Sequence, residues 1–206
     1  MFSITRKWQL IVVLSFFALY SCKTDTVTPV ASTPDPDTIV YTIKKGEHDT
    51  KSTFALRTVS ALKFEATFNT SAIYQMTVKE NQADINKLYG ISDCNTDHHS
   101  NSARFGWRWY NNQLEIHAYT YLNKVRKSEL VGVVELNQAY SYEIQMHDNK
   151  YVFILNDKTV ELPRHCTGKG EGYQLYPYFG GDEVAPHDIT IAIREAKRQR
   201  VREFRS

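Results

Sequence analysis

The sequence lacks the signatures that most directly announce an enzyme. It has no glycine-rich phosphate loop, no nucleophile elbow and no His/Cys spacing of a zinc site. These absences exclude the simplest nucleotide-dependent, serine-hydrolase and zinc-enzyme readings, and no cofactor is expected. Helical periodicity is scarce and no internal repeat recurs, so a helical bundle and a solenoid are excluded. No charge excess of one sign points to nucleic acid, since 25 Lys and Arg stand against 23 Asp and Glu. Cysteine is rare too, with only Cys22, Cys94 and Cys166. The longest apolar run, Leu10 to Tyr20, is too short to span a bilayer comfortably.

That run does suit the hydrophobic region of a signal peptide, because Arg6 and Lys7 precede it. It closes on "ALYSC", which resembles a bacterial lipobox. The resemblance implies cleavage before Cys22 and lipidation of that residue, so that residues 1–21 are a signal peptide and acyl chains hold the protein on a membrane. Residues 22–38 then form a tether, rich in Thr, Pro and Asp and unable to build a core. The expected location is the cell envelope, as an outer-membrane lipoprotein facing the periplasm or the exterior. Cys94 and Cys166 lie in polar stretches, "SDCNTD" and "RHCTGKGEG", and an exported protein could bond them or leave them as two free thiols. Residues 194–206 form a basic tail with six Lys/Arg and two Glu.

Between the tether and the tail, residues 39–193 read as one all-β domain. "ALKFEATF" alternates Leu62, Phe64, Ala66 and Phe68 against polar residues. "AYSYEIQMHDNKYVFIL" reads as a hairpin turning at Asp148-Asn149, a further turn falls at Asn156-Asp157, and "HDITIAI" points Ile189, Ile191 and Ile193 inward. About ten antiparallel strands in this length predict a two-sheet β-sandwich, a jelly roll. The segment Tyr140 to Leu162, with its alternating tyrosines and an aromatic strand ending in Asn156-Asp157, resembles the concanavalin A-like lectin and glucanase jelly rolls. Lys158 stands where that pattern carries glycine, and a likeness of fold does not transfer function.

The informative stretch is "ARFGWRWYNNQLEIHAYTY", Ala103 to Tyr121. A two-residue turn at Asn111-Asn112 pairs Tyr110 with Gln113 and, counting outward, Arg108 with Glu115, Gly106 with His117 and Arg104 with Tyr119. One face then holds Phe105, Trp107, Trp109, Leu114, Ile116 and Ala118, predicted to be buried. The other displays Arg104, Arg108, Glu115, His117, Tyr119 and Tyr121, with the imidazole of His117 lining a gap left by Gly106. On a concave sheet face these six residues would line an open groove for a polysaccharide. Tyrosine rings suit the apolar faces of sugars, and arginine forks suit carboxylates or sulfates.

The loop reading "ENQADINKLYGISDCNTDHHSNS" would form the groove rim. Its Asp93, Asp97, His98 and His99 have neither zinc spacing nor an EF-hand pattern, and no metal site is expected. A second loop, Tyr176 to Asp188, places Tyr176, Tyr178 and Phe179 beside Gly180-Gly181. A retaining glucanase is disfavoured, because Glu115 has no second carboxylate on its strand. A polysaccharide lyase would use Arg104 or Asn101 to neutralise a uronate, His117 as base and Tyr119 or Tyr121 as acid. "EIH" resembles the Gln-Ile-His strand of jelly-roll alginate lyases, with Glu115 in place of glutamine. The leading expectation is a membrane-anchored lipoprotein that binds an acidic glycan, with a lyase or a non-catalytic envelope interaction protein as alternatives.

Overall fold

The computed structural model describes residues 36–196, so Cys22, the tether up to residue 35 and the tail from residue 197 lie outside the described residues. Twelve strands form two antiparallel sheets of six. The first sheet runs in the order β1-β12-β3-β8-β9-β10, built from Ile39–Ile43, Ile189–Glu195, Ala61–Phe68, Ala139–His147, Lys150–Leu155 and Lys158–Pro163. The second runs β2-β11-β4-β5-β6-β7, built from Leu56–Val59, Gly170–Leu175, Asn86–Ser92, Ser102–Tyr110, Gln113–Leu122 and Val125–Val134. The chain is an all-β, two-sheet sandwich.

Side chains from the two inner faces make one aromatic core. Phe64 and Tyr142 stack across β3 and β8, and Phe105 of the second sheet meets both edge-on, together with Phe153. Trp107 packs against Phe68, Tyr74 and Phe179. Leu62, Phe64, Ala66 and Phe68 are buried, as are Ile189, Ile191 and Ile193, which follows from their period-two spacing.

The β5–β6 hairpin has the register expected from its turn. Tyr110 pairs with Gln113, Arg108 with Glu115, Gly106 with His117 and Arg104 with Tyr119. Asn111 and Asn112 sit at φ 50° and 58°, the two positive values that a tight hairpin turn requires and that asparagine tolerates. The β8–β9 and β9–β10 turns use Asn149 and Asn156 in the same way.

Several expectations need correction. The stretch from Glu80 to Ser102 is not one long loop, since β4 crosses the middle of the second sheet within it. A bulge between Lys87 and Tyr89 breaks the alternation that would have revealed this strand. β12 continues through Glu195, so Arg194 and Glu195 belong to the sheet, where Arg194 pairs with Glu65. Trp109 is half-buried, packed against the core on one side while lining an open cavity with Asn111 and Asn112 at the hairpin tip. Phe179 is a core residue, and Tyr176 packs on Tyr41 and Tyr89.

Cys94 and Cys166 are disulfide-bonded, with Cα atoms 5.7 Å apart. Among the described residues no helix is long and apolar enough to cross a membrane.

Candidate functional site

Because Phe105, Trp107 and Ile116 face the core, strand alternation puts Arg104, Arg108, Glu115, His117, Tyr119 and Tyr121 on the outer face of the second sheet. These six residues do share that face. They divide into two groups with different chemistry.

The first group is an ion-paired buckle. Arg108 donates from Nε to Glu115 Oε2 at 2.6 Å and from Nη1 to the Ala83 carbonyl at 2.6 Å, while its guanidinium lies 4.5 Å from the Tyr110 ring. His117 Nε2 lies 3.1 Å from the same Glu115 oxygen. Burial pushes the His117 pKa down and outweighs the opposing hydrogen bond to Glu115. At neutral pH the ring is therefore uncharged, donating from Nε2 and keeping Nδ1 as a lone-pair base. The gap at Gly106 is not lined by this imidazole. A Cβ there would collide with Ile85 Cγ2, so Ile85 closes that space.

The second group centres on Arg104. Its side chain is only 6% exposed, its Nε is buried without a hydrogen-bond partner, and its guanidinium lies 5.5 Å from the Tyr119 ring. The phenols of Tyr119, Tyr121, Tyr173 and Tyr178 lie near it, as do Lys87 and His98, and among the described residues it forms no ion pair with a carboxylate. Burial lowers the Arg104 pKa, yet a guanidinium stays charged. Lys87 arrives from β4, its Nζ 5.0 Å from the centroid of the same Tyr119 ring and donating to the Ile85 carbonyl at 2.7 Å. Burial and the nearby Arg104 and Arg126 lower its pKa to about 8. Tyr119 is pushed up to about 12 by burial and by Tyr121. A buried cation with no acid beside it is costly unless something else meets its charge.

The open groove expected from the sequence is modified by this packing. Arg104, His117 and Tyr119 are each at most 6% exposed, because the large side chains on this face lie against one another. Lys87 was missing from the expected set because β4 read as loop. Its signal was present in the "NKLYG" stretch, where alternation fails only at the bulge.

The loop residues have structural partners. Asn101, a lyase candidate, accepts the Asn123 amide through Oδ1 and ties the loop through its own main chain to Asp93 and Asp97, off the sheet face. Asp93 is fully buried and bonded to Arg164 and Tyr151. Asp97 accepts from the His99 and Ser100 amides and the Ser100 hydroxyl. His98 bonds the Tyr173 hydroxyl at 2.8 Å and is driven down to about 4 by burial and Arg104. In the second loop Tyr178 is 38% exposed and stacks on His48, while its main chain pairs with Lys87 beside the Arg104 group.

No family model matches the sequence, and no curated protein matches it. Among solved structures, a non-specific endo-β-1,3(4)-glucanase of family GH16 aligns with a TM-score of 0.49 and 9% identity, over 77% of this chain and 70% of that one. An alginate lyase aligns with a TM-score of 0.49 and 10% identity, over 77% and 74%. A carbohydrate-binding module from Bacillus subtilis gives 0.35 and 11%, over 75% and 91%. All three lie at or below 11% identity and a TM-score of 0.49.

Proposed function

We propose that the domain binds an acidic polysaccharide on the outer face of its second sheet, with Arg104 as the anion contact. The observation that carries this reading is the buried Arg104, whose Nε has no hydrogen-bond partner, which among the described residues pairs with no carboxylate, and beside which stands Lys87 with Arg126 near it. A uronate carboxylate or a sugar sulfate supplies the missing charge and accepts from the guanidinium edge. Tyr121, Tyr173 and Tyr178, which are partly or fully exposed, supply ring surface for the sugar, over the buried Tyr119. The protein is proposed to work from a membrane, lipidated at Cys22. A disulfide at Cys94–Cys166 supports an oxidising compartment, and the "ALYSC" stretch supports the anchor.

Isothermal titration of soluble residues 36–196 with polyuronates and with sulfated glycans tests the binding. Arg104→Ala is expected to weaken affinity at least tenfold and to flatten its salt dependence, with the native fold retained by circular dichroism. Equal affinity in the variant would move the site elsewhere.

A lyase remains the second reading because of one observation. Arg108 neutralises Glu115 at 2.6 Å, so the carboxylate next to His117 no longer repels a uronate. Neutral His117 could take the C5 proton and protonated Tyr119 could return one to the leaving oxygen. Growth of absorbance at 235 nm on polyuronates, lost in His117→Ala with binding retained, would establish it. No absorbance change on any uronate polymer would leave a binding protein.

A further inference from the structure

The surface is also recessed at the opposite end of the β5–β6 hairpin. There a cavity of about 700 Å³, within the usual size of small-ligand sites, opens beside the half-buried Trp109. The short helical segment Lys79–Ala83 frames it. Gln82 from that segment donates to the Trp109 carbonyl at 2.7 Å and accepts the Met76 amide at 2.8 Å, which fixes the wall. Glu183 anchors the start of the same segment by accepting from Val78 N and Asn81 Nδ2, each at 3.0 Å.

The commonest polar side chains at the cavity are amides, beside Thr77, Lys79 and His187. Asn111 and Asn112 at the hairpin tip and Gln75 opposite them are exposed, and among the described residues none of their side-chain amides makes a hydrogen bond. Lys79 adds an ammonium with no ion-pair partner there, and no Asp or Glu is among the lining residues. Each primary amide offers two donors and an acceptor, which is the complement of vicinal hydroxyl groups. An indole beside them offers a flat apolar surface for the C–H face of a pyranose. Lys79 is the one ammonium in the set and is exposed to water, unlike the buried Arg104, so the three unpartnered amides rather than a desolvated charge set the chemistry of the cavity.

We infer that this cavity is a binding site for an uncharged saccharide unit, separate from the anionic site and independent of the reading given to it. Trp109 is the platform and Asn111, Asn112 and Gln75 are the hydroxyl contacts. The backbone geometry keeps these contacts ready. Both asparagines are held at positive φ by the hairpin turn, so their side chains project from a rigid tip rather than a mobile loop.

The test uses cellobiose, laminaribiose, maltose and N,N′-diacetylchitobiose, titrated into the soluble domain and followed by calorimetry and by tryptophan fluorescence. At least one disaccharide is expected to bind and to change the fluorescence. Asn111→Gly/Asn112→Gly keeps the positive-φ turn but removes both amides, and should weaken that binding by roughly tenfold or more, the loss of one or two hydrogen bonds. Trp109→Ala should abolish it. Should Trp109→Ala fail to fold, Gln75→Ala on the exposed wall replaces it, with a severalfold loss expected. Arg104→Ala should leave uncharged disaccharide binding unchanged. No heat and no fluorescence change with any of the four at millimolar concentration would overturn the site. So would binding that survives the Asn111→Gly/Asn112→Gly change or that vanishes in Arg104→Ala.

Discussion

Arg164 donates from Nε to Asp93 Oδ2 at 2.7 Å, and neither side chain has any exposure. Asp93 follows β4 of the second sheet and Arg164 follows β10 of the first, so the pair ties one end of the sandwich shut. Its remaining capacity is filled. Tyr151 and the amides of Cys94 and Glu171 donate to Asp93, while Arg164 donates to the carbonyls of His147, Gly168 and Lys169. A buried pair of this kind adds little net stability against an apolar replacement, yet removing one partner strands the other charge. Asp93→Ala should therefore lower unfolding free energy by about 3–5 kcal/mol in urea titrations. A loss below about 1 kcal/mol would show that water reaches this end of the sandwich.

The Cys94–Cys166 bond lies next to that pair and closes a loop with a sequence separation of 72. Loop-closure entropy puts its contribution near 4 kcal/mol at most, because the reduced chain keeps some residual structure. Cys94→Ser/Cys166→Ser should unfold at lower urea and with a steeper slope, because the uncrosslinked denatured chain exposes more surface. Wild type should match the double variant when dithiothreitol is present. If the two curves differ under reducing conditions, the serines act through packing and not through the lost bond.

Gly90 of β4 pairs with Arg104, and a Cβ at that position would collide with the Ala103 carbonyl and with Arg104 Cβ. Gly90→Ala cannot be relieved by a rotamer change, since a neighbouring backbone blocks it. Overpacking of this kind costs roughly 1–3 kcal/mol. The displaced atoms belong to the proposed anion contact, so acidic-glycan affinity should fall with stability. Gly46→Ala is a poor control despite open space around it, because φ there is 83°. A variant that loses stability but binds acidic glycan as wild type would show that Arg104 can shift without consequence.

The parts of the fold that were legible share one property: their inner and outer residues alternate without interruption. β3, β5, β6, β8, β9 and β12 are of this type, and the asparagine turns between them set register as well as position. β4 failed the same reading because its bulge shifts the alternation and because Asn86 and Ser92 are buried polar residues. Their burial is possible only because Asn86 bonds Tyr74 and the Gly180 amide, and Ser92 accepts from Tyr173. Such partners are remote in sequence. β7 was missed for a different reason. As an edge strand its residues from Val125 to Leu130 are all exposed, so it carries no inward face to recognise until Val131. The outer-face cluster was legible as a shared face, and the hairpin register already paired Arg108 with Glu115, but the full set of cations on it was not legible. Whether Arg104 or Arg108 had a carboxylate was decided by a single strand position, and Lys87 came with the unseen β4.

Lys87 makes the proposed anion site sensitive to pH in a defined window. Burial first, then Arg104 and Arg126, lower its pKa from 10.5 to about 8, and Asp84 opposes this only in part. Other shifted groups near it titrate elsewhere: His98 near 4 and Tyr119 near 12. The sign follows from proton counting. Between about 8 and 10.5 the unfolded chain holds a proton on Lys87 that the folded protein has lost, so this residue makes stability rise with pH across that interval. Anion binding should do the reverse. Below pH 8 the ammonium reinforces Arg104, and above it that charge is lost, so affinity for a polyuronate should fall as pH rises from 7 to 9.5 at constant ionic strength. Lys87→Met keeps the apolar stem over Tyr119 and removes the charge. In that variant both trends should flatten, and affinity should sit near the wild-type value at high pH. Wild-type affinity that stays constant across this window, or an equally steep fall in Lys87→Met, would remove Lys87 from the site and leave Arg104 as the charge that meets the ligand.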